Sequence, residues 1–389
     1  MLLKFAFKNL MGAGLRTWLN VFVLSMAFVL IIFTQGLLEG MNKQTEEAMI
    51  NSEIGGGQYW HPSYDPYNPL KLSESFGPIP EDLESMINEK HATSILITQG
   101  SIYPAGRMFT VLIKGIDPAQ KVLDMPTHFL ATETEEIPIL IGSRMAKSTG
   151  LRQEDPVTIQ WRDSHGTFDA RDGIVKQVMN TSVQSIDAGQ IWIPLETLRG
   201  MMGIEDQATI VVLENGKELP PRTGEWTLKS QDALLTDIRS LIESKTLGSS
   251  FVYAILLLLA MLAIFDTEVL SIFHRRKEMG MLMALGFTRF RVIKLFAIEG
   301  AMHGVLAVLV GALYGIPILS YMAKTGWALP SNTDNYGFAI GEKLFPSYGM
   351  GLVLGTTALV LVVTAIVSFI PTRKIAKMKP TEALRGRLS

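Results

Sequence analysis

The sequence predicts a membrane α-helical protein with four transmembrane helices and one large α+β domain inserted between the first and the second. Three observations carry this. Four apolar runs are each long enough to cross a hydrocarbon core, which takes about 20 helical residues. Lysine and arginine gather beside some ends of those runs and avoid others. Hydrophobic residues make up 48% of the 389-residue chain and charged residues 19%, yet mean hydropathy is only +0.25, as apolar segments diluted by an ordinary polar region would give.

The first run, 17–38, follows Lys4, Lys8 and Arg16. Its apolar core is longer than that of a signal peptide, and Gln35-Gly36-Leu37-Leu38-Glu39 is a poor cleavage site, so it reads as a retained anchor. Before it, Leu2, Leu3, Phe5, Ala6, Leu10 and Met11 alternate with Lys4 and Lys8, which suits an interfacial elbow helix over 1–16. The other runs are 248–273, 295–322 and 348–371. The connection 274–294 and the tail 372–389 are basic, whereas 323–347 sets only Lys324 and Lys343 against Asp334 and Glu342. The positive-inside rule then puts both termini and the 274–294 loop in the cytoplasm and 39–247 outside.

Within the third run, Gly300 and Gly304, and again Gly311 and Gly315, are four apart, a spacing that lets a neighbouring helix approach closely. Pro317 is expected to bend the outer end of that helix. Asp266 and Glu268 lie inside the second run, where charge is costly. They read as partners of the basic cluster around Arg275, with an ion relay as the alternative.

The outside region opens with a helical stalk over Met41 to Ser52, broken by Gly55-Gly56-Gly57. Strand-like runs follow at Ser94 to Ile102, Thr110 to Ile113, Val157 to Trp161, Gly173 to Val178, Gln190 to Ile193 and Thr209 to Leu213. Ser143 to Thr149 and Leu195 to Met202 read as short helices, and Gln231 to Ser244 as a polar helix leading back to the membrane. His61 and Asp65, among Tyr59, Trp60, Tyr64 and Tyr67, invite a metal or carbohydrate reading, but a metal needs more converging ligands, and loop packing explains them better. Ser143, Ser164 and His165 lack a nucleophile elbow. No enzyme site emerges. The net charge of −2 offers no field for nucleic acid, which is not expected as a partner. With no cysteine there is neither a disulfide framework nor a thiolate metal site.

The loop 274–294 is the most informative stretch. It reads as a short amphipathic helix with Met279, Leu282 and Met283 at helical spacing, closed by Gly286 and flanked by cations. A basic anchor at the lipid headgroups would look similar, but the apolar residues also suit a protein contact. The run RRKEMGMLMALGFTRFRVIKLFAIEG resembles the segment joining the second and third helices in the FtsX/MacB/LolC-LolE superfamily of ABC transporter permeases, also called type VII. FAFKNLMGAGLRTWLNVFVLSMAF resembles that family's elbow and first span, ILIGSRMAKSTGLRQEDPVTI a segment of its outside domain, and IPTRKIAKMKPTEALRG its ending after the fourth span.

The resemblance implies an extracytoplasmic domain of MacB/LolC-LolE type and a bacterial inner-membrane location. It also implies a coupling helix that docks on a cytoplasmic ABC ATPase dimer through Arg275, Arg276, Lys277, Glu278, Met279, Gly280, Met281, Leu282, Ala284, Leu285, Gly286, Phe287 and Arg289. A second permease subunit and membrane lipids complete the expected partners. The chain carries no G-x-x-x-x-G-K-[ST] loop, so no catalysis and no directly bound cofactor are expected, with ATP and Mg held by a separate ATPase. The expected mechanism is mechanotransmission to the outside domain. IGGGQYWHPSYDP is similar to an early outside segment of the LolC-LolE branch, which implies lipoprotein release. The alternatives are efflux of amphiphilic drugs or peptides with a periplasmic adaptor, and FtsX-like regulation of a cell-wall hydrolase.

Overall fold

The computed structural model describes residues 15–132, 135–181, 183–217, 224–236, 239–240, 276–328 and 343–375, with isolated positions between 251 and 269. The expected elbow, the loop tip 329–342, the tail beyond 375, Asp266, Glu268 and most of the second apolar run lie outside the described residues. Three described helices are long and apolar enough to cross a membrane. The chain divides into two compact units, one holding the apolar helices and the other the described residues between 43 and 240.

The first unit is built on α1 (Leu15–Met49) and on two further long helices, Arg289–Thr325 and Met350–Ile375. Val21, Leu24, Phe28 and Ile32 on the first meet Ala307 on the second and Val360 and Val367 on the third. Pro317 sits inside its helix without ending it. Polar contacts cross the apolar packing at two points: Ser25 Oγ lies 3.3 Å from the Tyr314 hydroxyl, and Thr356 Oγ1 donates to Gln35 Oε1 at 3.0 Å.

The second unit begins where α1 runs on to Met49 and passes into a π-turn, Ile50–Ile54. Gly55, with φ +62°, stops it at the break that the three glycines predict. In chain order there follow β1 (Gly57–Trp60), β2 (Gly77–Pro78), α2 (Glu81–Asn88), β3 (Ala92–Ile102), β4 (Phe109–Ile116), β5 (Ile137–Gly142), α3 (Ser143–Thr149), β6 (Pro156–Arg162), β7 (Phe168–Met179), α4 (Gln184–Ala188), β8 (Gln190–Pro194), α5 (Leu195–Met202), β9 (Gln207–Ala208), β10 (Ile210–Leu213) and β11 (Thr227–Ser230). The domain is α+β and sheet-dominated.

The main sheet runs β11-β1-β10-β3-β4-β8-β5-β7-β6, and β3 also pairs with β6. Strands β3, β4, β8, β5, β7 and β6 therefore close into a ring, which removes two exposed edges. Pairing is antiparallel except for β4 with β8 and β5 with β7. Gly100 sits where β3 pairs with β6, and a Cβ there would meet Gln160 O at 2.7 Å, so the two backbones approach only because the side chain is absent. Inside the ring Leu96, Ile113, Ile139, Ile159, Val175 and Ile191 form one core, covered by Leu198 and Met202 of α5. The opposite face carries a second core that includes Ile95, Ile97, Leu140 and Trp192, packed with Ala48 and Met49 at the end of α1.

Candidate functional site

The loop that the sequence singles out folds into a helical hairpin. Helix α6 (Arg276–Ala284) ends in a Schellman turn, with Gly286 N–H donating to Met283 O at 3.1 Å and Phe287 N–H to Leu282 O at 3.0 Å. Gly286 adopts φ +92°, the left-handed conformation such a turn requires. Thr288 then caps α7 (Arg289–Thr325), its Oγ1 accepting from Arg291 N–H at 3.4 Å. Two caps in succession reverse the chain, and a small core holds the hairpin shut: Met279 and Val292 are buried, with Leu282 and Met283 packed against them.

That core divides the predicted docking residues. Met279 and Gly280 are buried, and Leu282 is half-buried. Lys277, Glu278, Met281, Ala284, Leu285, Gly286, Phe287 and Arg289 are exposed. Arg276 opens α6, and Arg275 lies outside the described residues. The outward surface is thus Met281 (55% exposed), Leu285 (71%) and Phe287, extended by Phe290 (71%) and bordered by Lys277, Arg289, Arg291 and Lys294. Phe290 is absent from the sequence-based set. Its signal was present in the alternation Arg289-Phe290-Arg291.

The glycines of α7 serve two neighbours. A Cβ on Gly304 would strike the Thr364 side chain of α8 (Met350–Ile375), whereas one on Gly311 would lie 2.9 Å from Phe28 and one on Gly315 2.8 Å from Val29, both on α1. Gly300 is buried. Sequence reasoning missed a third pair on α1. A Cβ on Gly36 would run into the Tyr348 ring and one on Gly40 into Phe345 O, and Ser347 N–H donates to Gly36 O at 2.8 Å.

In the outer unit, His61 packs edge-on to Trp226 at 5.9 Å and accepts at Nδ1 from Ser63 N–H at 3.3 Å. Burial lowers its pKa below 6.5, against the pull of Glu225. Tyr59 is buried and Trp60 stacks edge-on with Tyr64, so three of these aromatics build the fold. Among the described residues no three His, Cys, Asp or Glu converge as a metal site would require. Ser143 donates to Asp187 Oδ1 at 3.2 Å, and the same oxygen accepts from Arg144 N–H at 2.9 Å, so Asp187 anchors the start of α3. Ser164 lies 3.4 Å from His165 Nδ1 on an exposed turn.

Residues 250–380 match the family described as FtsX-like permease C-terminal. The chain is 23% identical over 322 residues to the lipoprotein-releasing system transmembrane protein LolC of Neisseria meningitidis, covering 76% of this chain and 77% of LolC. It is 26% identical to an uncharacterized ABC transporter permease of Methanocaldococcus jannaschii, over 55% of this chain and 54% of that one. A match to the macrolide export ATP-binding/permease protein MacB of Vibrio parahaemolyticus, at 24% identity, covers 54% of this chain and 32% of MacB. Among solved structures, the extracellular domain of the noncanonic ABC-type transporter YknZ aligns with 47% of this chain and 94% of its own length, at 13% identity and a TM-score of 0.28, too low to argue from. These matches support the resemblance of the chain to the FtsX/MacB/LolC superfamily of ABC transporter permeases, with the FtsX-like region over its C-terminal third.

Proposed function

We propose that this chain is the non-catalytic membrane subunit of an ABC transporter in a bacterial inner membrane, and that it drives its outer domain mechanically to release lipoproteins. The α6–α7 hairpin carries the reading. Its exposed Met281, Leu285, Phe287 and Phe290 beside four cations make a compact apolar surface on a rigid turn, as a docking element for a separate ATPase dimer requires. Closure of that dimer on ATP and Mg pushes the hairpin, and the long helices carry the push outward. Helix α1 supports this, since it runs unbroken for 35 residues, about 52 Å at 1.5 Å per residue. Arg239, near the returning segment, pairs with Glu46 on α1 at 3.0 Å and so ties outgoing and returning chain together.

The lipoprotein cargo is favoured because the LolC match reaches across three quarters of both chains, more than the membrane segments alone supply, and so extends into the outer domain. Export of amphiphiles through an adaptor is the second reading, favoured by relatives named for macrolide and pyoverdine export. A second permease copy or homologue completes either assembly.

The test is affinity purification of the full-length protein from its own membranes. The wild type should retain an ATPase, and Leu285→Glu with Phe290→Glu should reduce that yield about tenfold without loss of folded protein, as for removal of central apolar anchors. Lipid-modified proteins in the eluate support release, and an adaptor supports efflux. A cell-wall hydrolase would point to FtsX-like regulation. If the ATPase is retained equally by wild type and double variant, the docking assignment is wrong.

A further inference from the structure

The outer end of α1 is fastened in an unusual way. Instead of ending in an ordinary cap, the helix passes into the π-turn Ile50–Ile54, a geometry that recurs at functional sites. The turn and the glycines after it are tied to four separate parts of the outer domain. Asn51 O accepts from Asp124 N–H at 2.7 Å, Glu53 O from Gln58 Nε2 at 2.8 Å, and Gly55 O from Gln231 Nε2 at 2.8 Å, while Gly56 N–H donates to Leu213 O at 2.7 Å.

One side-chain contact ties the turn to the closed ring of strands. Glu53 Oε1 lies 3.2 Å from Nζ of Lys114, on β4, and the two side chains are 22% and 8% exposed. The ammonium also sits 5.0 Å from the ring centre of Trp192, its register partner on β8. A buried ion pair gives little net global stability, because desolvation offsets the attraction. The pair specifies position more than it stabilises. Next to it, Trp192 Nε1 and Gln190 Nε2 are buried and have no hydrogen-bond partner among the described residues. Both side chains belong to the same face of β8, two residues apart, opposite Lys114 and Leu112. Two buried donors without partners thus lie on the strand that pairs with the one carrying Lys114.

We infer that Glu53 and Lys114 form the joint through which displacement of α1 is handed to the β-sheet of the outer domain, with Trp192 and Gln190 as spare donors for a shifted Glu53. This deepens the mechanical reading above and rests on it. Lys114 and Glu53 are positioning residues, since neither is placed against cargo or nucleotide.

Amide exchange on the full-length protein, purified with its bound ATPase, separates the joint from its use. Without ATP, the double variant E53Q/K114M, which leaves neither charge unpaired, should keep β3 amides within about twofold of wild type while Gly55, Gly56 and Asp124 exchange about tenfold faster or more. Unchanged exchange at those three amides overturns the joint whatever ATP does. With ATP, wild type should change exchange in β4 and β8, and in the double variant the change should stop at Met49 although ATP is still hydrolysed. A change that reaches β4 equally in the double variant also overturns the proposal. K114M alone, which strands Glu53, should lose thermal stability that the double variant recovers. If recovery of stability also restores the ATP response, the pair is structural only. An ATP response absent everywhere in wild type would instead sink the ATP-driven reading, with the ATP-free exchange still deciding the joint.

Discussion

Gly286 is surrounded by open space, with no atom within 4 Å of an added Cβ, so its requirement is purely one of backbone conformation. At φ +92° a β-branched residue is strained by about 1–2 kcal/mol, and asparagine by less. Gly286→Val should therefore fray the Schellman turn and Gly286→Asn should largely keep it, as read by amide exchange at Gly286 and Phe287. Equal behaviour of the two variants would mean that the turn is not what closes α6. His61 gives the outer domain a pH dependence of known sign. Its folded pKa lies below 6.5 because burial disfavours the cation, so the unfolded chain takes up the proton first as pH falls. Stability from this residue is complete above 6.5, declines as pH falls through the lowered folded value, and is then fully lost. Melting of the outer domain at a series of pH values should show a shallower acid slope in His61→Gln than in wild type. Parallel slopes would remove His61 from the account.

At the scale of elements, the two small residues on α1 differ in what opposes them. Gly36 faces the Tyr348 ring, which can rotate aside, whereas Gly40 faces fixed backbone, with Pro346 Cα and Ser347 N both 2.9 Å from a Cβ. Gly40→Ala should cost about 1–3 kcal/mol by overpacking, and Gly36→Ala clearly less. Thermal unfolding in detergent measures both, and the reverse order would contradict the packing. That pair escaped sequence reading because one four-residue glycine spacing looks like another until the partner segment is known. The same limit applied elsewhere. Strands β3, β6, β8 and β10 and helices α3 and α5 were legible from periodicity and turn residues, but β5 is an apolar run buried on both faces and shows no alternation. Strand β1 was hidden behind the glycines read only as a helix stop, and closure of the ring through β3 and β6 depends on pairings far apart in sequence. In the hairpin, helical spacing identified Met279, Leu282 and Met283, yet which apolar residues turn inward is decided by where α7 returns, at Val292.

For the whole molecule, the charge pattern predicts the sidedness of the membrane assembly, and that prediction can be tested without disturbing the fold. The natural chain contains no cysteine, so any introduced thiol is the single reactive one. Tyr67 and Phe168 are exposed on the outer unit, and Leu285 on the hairpin, so the fold tolerates a small side chain at each. Tyr67→Cys and Phe168→Cys should react with a membrane-impermeant maleimide in intact cells whose outer barrier has been opened. Leu285→Cys should react only after the inner membrane is permeabilised. The contrast bears on the second apolar run: an outside domain at Tyr67 and a cytoplasmic hairpin at Leu285 require an odd number of crossings between them, and 248–273 is the apolar segment in that interval. Labelling of Leu285→Cys from outside would make that number even. It would place the hairpin beyond reach of any cytoplasmic ATPase and leave its apolar face to be explained by a partner on the other side of the membrane.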